Sequence, residues 1–127
     1  MEGSHNNQTQ NSVEQQRAVD QEILDNFEAN MGEVPTPLKI MAMRPGTLAN
    51  FMAYHSQVFK DGPLTERERR LVAVGVGVAM RSPKCIYTHS NAARQAGASE
   101  DDIVQAMMIA SLMLGASPLR AAYSAVH

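Results

Sequence analysis

Cys85 and His89 lie four residues apart in the segment SPKCIYTH, which begins at Ser82. On a helix, four residues make about one turn, so the two side chains share a face. Ser82 followed by Pro83 reads as an N-cap with proline at the first helical position, where its missing N–H has no intrahelical partner anyway. Cys85 is then the third helical residue. A thiol there meets the positive end of the helix dipole and unpaired N–H groups, both of which favour a thiolate. Lys84, adjacent in sequence, adds positive field. His89 could exchange a proton with the sulfur or, when protonated, stabilise the thiolate. These residues describe an activated thiol with a base one turn away. The alternative is structural: a buried cysteine often serves as a small hydrophobe, and His89 is followed by Ala92, Ala93 and Ala96 on an Ala-rich face. A zinc site would need a third ligand, from His55 or a neighbouring subunit, so no metal is assigned.

The composition bounds the chemistry. The chain has 127 residues, enough for one domain that buries roughly two-thirds of its unfolded surface. Cys85 is the sole cysteine, which excludes an intrachain disulfide, a Cys-x-x-Cys redox pair and a multi-cysteine zinc site. It also fits a reducing compartment. Thirteen acidic residues against eleven Lys and Arg give a net charge of −2, and no basic patch marks a nucleic-acid partner. The longest apolar stretch lies near Leu71–Met80, about half the length a membrane-spanning helix needs. The N-terminus has no apolar signal core. The expectation is a soluble, cytoplasmic protein with no membrane partner.

The elements that must position the thiol are helices. Residues 1–11 are polar without periodicity and are expected to form a flexible tail, leaving 12–127 as a single domain. Ser12 and Gln15 have capping-box spacing, and Val19, Ile23 and Phe27 recur at four-residue steps. Thr36-Pro37, Ser82-Pro83 and Ser117-Pro118 read as helix starts, and Arg44-Pro45 has the same proline placement without a capping side chain. Thr65 with Glu68 and Ser99 with Asp102 add two capping signals. Gly32, Gly62, Gly97 and Gly115 read as stops. The pattern predicts helices near 12–30, 37–43, 46–60, 66–80, 83–96, 100–114 and 118–126. One segment resists: Val72, Val74, Val76 and Val78 alternate with Ala73, Gly75 and Gly77, a period of two that argues for a strand. The capping signal at Thr65 and the lack of a partner strand favour a buried helix whose glycines permit close approach. The segment 100–114 is apolar on nearly every side, so it must be central or lie at a subunit interface.

The stretch from Leu64 to Leu119 resembles the carboxymuconolactone decarboxylase family, the group that includes the alkylhydroperoxidase D (AhpD) proteins. The likeness is carried by LTERERRLVAVGVGVAM, by SPKCIYTHSNAARQAGASEDDI and by the apolar segment ending LMLGASP. The resemblance implies an all-α, AhpD-like helical bundle in a single domain that assembles as a homo-oligomer, a trimer or hexamer. It implies that AhpD-type Cys-x-x-Cys-x-x-x-His chemistry maps onto this chain only in part. The second Cys falls on Cys85 and the His on His89. The first Cys falls on Ser82, a further His on Lys84, and the proton-relay Glu on Arg70. Glu66, four residues before Arg70 and roughly 6 Å away along a helix axis, is a poor substitute for that relay.

Three functional readings follow. The favoured one is a thiol-dependent, peroxiredoxin-type antioxidant oxidoreductase: Cys85 attacks a peroxide and an external thiol resolves the sulfenic acid, with no bound cofactor. The second is a carboxy-lyase of the carboxymuconolactone type, in which Arg70, Lys84 and His89 converge on the carboxylate of a lactone substrate. Against it, the ERERR run containing Arg70 has the character of a solvated face. The third is a non-catalytic oligomeric scaffold or small-ligand binder that kept the fold and lost the relay.

Overall fold

The structure, a computed structural model, describes the backbone of residues 2–127 and the side chains of residues 8–127. Its elements are α1 (Glu2–Met31), α2 (Thr36–Met41), α3 (Thr47–Lys60), α4 (Glu66–Ala79), α5 (Pro83–Gln95) and α6 (Glu100–Val126). No strand occurs among the described residues, so the fold is all-α as the sequence predicts. The chain forms two compact units, one ending at Val58 and one spanning Phe59–His127.

In the first unit, α1 begins at Glu2, so residues 2–11, expected as a flexible tail, are helical here and Ser12 starts no helix. Met1 lies outside the described residues. No proline interrupts residues 2–31, and once a helical nucleus exists each further residue adds a hydrogen bond without a new nucleation cost. The N-cap of α2 is Pro35, not Thr36, and its side chain makes no cap. The Pro35 carbonyl accepts the first bonds, from Leu38 and Lys39, which draws Thr36 into the helix. The start of α3 is capped from another helix. Asp20 of α1 is 2% exposed and accepts from the N–H of Gly46 (2.8 Å) and of Ala49 (3.0 Å). Those two donors are the N-cap and third-residue N–H groups that a local capping box would satisfy. Leu48, fully buried, sits between them.

The second unit holds the core. Thr65 and Glu68 form a complete capping box, with bonds of 3.2 and 3.0 Å, and α4 then runs through the whole Val/Gly segment. Helical geometry resolves the period of two into separate stripes. Residues two apart are turned by about 200°, so Val72 and Val76 share one face and Val74 shares another with Val78. Val74 is fully buried in a cluster with Ala93, Ala98 and Ile103, against which Leu71, Ala106 and Met107 pack. Gly77 is buried where α4 meets α5: a Cβ there would lie 3.2 Å from the Ile86 side chain and 3.3 Å from its backbone nitrogen.

Helix α4 ends with Arg81 in the left-handed region (φ 53°). Bonds from Arg81 N–H to Val78 O and from Ser82 N–H to Gly77 O complete a Schellman turn and aim the chain into α5. Helix α5 closes the same way, with Gly97 (φ 95°) in the left-handed position. Ser99 and Asp102 box the start of α6, and Asp102 also pairs with Arg67 of α4 at 2.6 Å.

The expected break at Gly115 and Ser117-Pro118 is absent. α6 continues through both as one helix of 27 residues. Gly115 does not enter the left-handed region, and Pro118 removes one N–H bond from a segment otherwise rich in Ala and Leu. The longest apolar element is therefore not Leu71–Met80 but α6, which by length and composition alone could cross a bilayer.

Candidate functional site

The Ser82 cap forms as the sequence predicts. Ser82 has extended backbone, and its Oγ accepts from the N–H of Cys85 at 3.4 Å. Pro83 is the first helical residue, which puts Cys85 in the first turn of α5. The thiol is free and half-buried. His89 follows one turn later, also half-buried, so the two occupy neighbouring positions on one face of the helix. Ser82 is thus engaged in holding the helix start. Lys84 is exposed in the same turn.

Arg70 comes from the second turn of α4, and its side chain is half-buried. Its Nη1 lies 3.4 Å from Nδ1 of His89. Its Cζ stands 4.6 Å from the centre of the Phe59 ring. Phe59 in turn stacks on His89, with ring centres 5.6 Å apart and planes only 6° from parallel. The three side chains form one cluster, with the aromatic face supporting both the cation and the imidazole. Arg70 Nε and Ser90 Oγ are buried without a hydrogen-bond partner.

The structure brings Arg70 onto His89, which is one part of the cationic-pocket reading; Lys84, its third member, is exposed in the first turn of α5. Glu66 stays exposed at the first position of α4, one turn before Arg70. Glu68 is committed to the cap of α4, and hydrogen bonds from the Thr65 backbone N–H and then its side chain hold the Glu68 carboxyl below the usual range. Phe59 was not visible from the sequence. It lies at the end of α3, outside the 64–119 stretch that carries the resemblance, and a single aromatic residue has no spacing to mark it. Among the described residues, no group of three or more His, Cys, Asp or Glu is arranged to hold a metal ion.

A separate groove of about 680 Å³ lies between α4 and α6, lined by Leu71, Val72, Val76, Ile109, Met113 and Leu114 among others. The Arg67–Asp102 pair borders it. Neither Cys85 nor His89 lines it, so it is not the thiol site. From residue 111 to the end, α6 is exposed throughout, including Leu112, Met113, Leu119 and Tyr123.

Comparison with known proteins agrees with the all-α fold. A curated relative, uncharacterized protein 4 in the cox locus of Paracoccus denitrificans, is 38% identical over 63 residues. That match spans 50% of this chain and 57% of the relative, so the chain covers little more than half of that protein's length. A solved structure from Methanobacterium thermoautotrophicum superposes with a TM-score of 0.62 at 30% identity, covering 65% of this chain and 95% of that one. A carboxymuconolactone decarboxylase candidate from Burkholderia xenovorans LB400 superposes with a TM-score of 0.60 over 84% of this chain and 78% of its own. At 22% identity, that second likeness speaks to the fold alone. The carboxymuconolactone decarboxylase family model matches residues 45–127, well over half the sequence, and takes in α4, α5 and the Cys85–His89 turn. The chain belongs to the carboxymuconolactone decarboxylase family.

Proposed function

We propose that this protein is a single-thiol peroxide-reducing enzyme with Cys85 as its nucleophile. The observation that carries the reading is the placement of a half-buried thiol, free of any disulfide, in the first turn of α5, one turn before a histidine that contacts Arg70. The thiolate sulfur attacks the terminal oxygen of a hydroperoxide. An S–O bond forms, the O–O bond breaks, and the alkoxide leaves and takes a proton from solvent. Cys85 becomes a sulfenic acid. An external thiol condenses with it, releasing water and forming a mixed disulfide. A second thiol attacks that disulfide, freeing Cys85 and leaving the reductant oxidised. Ser82 cannot do the resolving, so the electrons come from outside, and the scheme uses no bound cofactor. Thiols are abundant in the cytoplasm, which suits a protein that must be returned to the reduced state by them.

The test is peroxide consumption with dithiothreitol as the reductant. Cys85→Ser is expected to fall to the uncatalysed rate. Equal rates for variant and parent would remove Cys85 from the mechanism.

A second reading is favoured by one observation, the Arg70–His89 contact. A guanidinium in that position suits a carboxylate substrate, as a carboxy-lyase acting on a carboxylated lactone would need. On that reading Cys85→Ser keeps lactone turnover while Arg70→Ala and His89→Ala lose it. Absence of turnover on both substrate classes would leave the scaffold or ligand-binding reading.

We also propose that the partner covering α6 is a second copy of this chain, giving a homo-oligomer. One face of the first half of α6 is engaged with protein: Ile103 is buried, and Ala106 and Met107 pack on the α4–α5 core. A membrane span would need that same length to face lipid.

A further inference from the structure

The residue at the relay position changes what His89 can do. A guanidinium has N–H donors and no acceptor. The 3.4 Å contact from Arg70 Nη1 to His89 Nδ1 is therefore a hydrogen bond only if Nδ1 offers its lone pair. A neutral imidazole with an accepting Nδ1 carries its proton on Nε2. An imidazolium would set two cationic donors against each other at that distance, which is unfavourable. The contact is held from a second side: Phe59 stacks flat on the imidazole and lies under the guanidinium, so both partners rest on one ring. Arg70 Nε is buried without a partner, so the guanidinium's reach toward His89 is not drawn off by another acceptor at that atom.

We propose that Arg70 is a positioning residue that locks His89 in the Nε2–H tautomer, so that His89 presents a hydrogen-bond donor rather than a base. A carboxylate at position 70 would do the reverse: it would accept from Nδ1–H and leave Nε2 free to take a proton. In this chain the histidine serves negative charge instead. An Nε2–H donor suits an anionic oxygen, such as the alkoxide leaving a peroxide. That use rests on the thiol reading above, whereas the tautomer itself does not.

The experiment is nitrogen-15 NMR of the full chain labelled at histidine, at neutral pH, with long-range proton–nitrogen correlation. His89→Gln identifies the His89 signals by their loss. The expected pattern for His89 is an unprotonated Nδ1 and a protonated Nε2, and Arg70→Glu is expected to exchange the two. A parent spectrum with a protonated Nδ1, or an Arg70→Glu spectrum that keeps the parent pattern, would overturn the proposal. If Arg70→Glu does not fold, the parent spectrum still decides the tautomer. Cys85→Ser, assayed separately for peroxide consumption, tests the thiol reading. Failure of that assay would end the redox role and leave the tautomer set by Arg70 standing.

Discussion

Asp20 on α1 caps α3 by accepting the N–H groups of Gly46 and Ala49, twenty-six and twenty-nine residues away in sequence. Its removal leaves two helix-start donors unsatisfied, one of them buried. Asp20→Ala is expected to destabilise the protein by about 1–2 kcal/mol, as loss of an N-cap does. Asp20→Asn keeps one accepting oxygen and is expected to lose less. Denaturant titration of parent and both variants checks the order, and an Asp20→Ala midpoint equal to the parent's would reject the cap.

Gly75 and Gly77 test the helical packing in opposite directions. A Cβ at Gly75 meets its nearest neighbours at 3.7 and 3.9 Å, ordinary contact distances. Gly75→Ala should gain about 0.5–1 kcal/mol from helix propensity. A Cβ at Gly77 meets the Ile86 backbone, which cannot rotate away. Gly77→Ala should lose on the order of 1 kcal/mol net, because overpacking outweighs the propensity gain. Thermal melts of the two variants should shift in opposite directions.

Asp102 links acid stability to the α4–α6 contact. Hydrogen bonding from Arg67, then from the Ser99 backbone N–H, holds its carboxyl down to about 2, against an ordinary 3.8. A group whose folded value is lowered contributes stability that is complete above its unfolded value and is lost as pH falls through the folded one. The contribution is therefore whole above about pH 4 and disappears toward pH 2. Asp102→Asn should be less stable than the parent at neutral pH, with the gap narrowing as pH falls through that window. A gap independent of pH would contradict the linkage.

The bare half of α6 predicts association. Leu112 is 74% exposed on it. If a second copy covers this face, Leu112→Glu should shift the protein to a smaller species on size-exclusion chromatography with light scattering. A parent that is already monomeric, or one that partitions into lipid vesicles, would reject self-association.

Much of the second unit was legible because its signals are local. Thr65 with Glu68, Ser82 with Pro83, and Ser99 with Asp102 each fix a helix start within four residues, and Gly97 fixes an end. The alternating valines have a strand's period, but the Thr65 capping signal already favours the helix that forms. Other features were hidden because their causes lie elsewhere in the chain. The cap of α3 comes from Asp20, far from any local motif. Gly115 and Pro118 carry stop signals, yet neither is an obligate break when the flanking residues favour helix. The ERERR run looks solvated by composition. Arg70 is drawn inward because Phe59, contributed by α3, supplies the face it rests on.

The Ser82 hydroxyl that caps Cys85 also sets the kinetic order of the proposed cycle. With a serine there, the return of an oxidised Cys85 is bimolecular, and its rate follows the concentration of the surrounding thiol pool. Ser82→Cys would place a second thiol next to the first turn of α5, making resolution an internal step that saturates at low reductant. The variant gives up a helix cap for that independence. In that proposed cycle, the serine would tie the rate of turnover to the redox state of the surroundings.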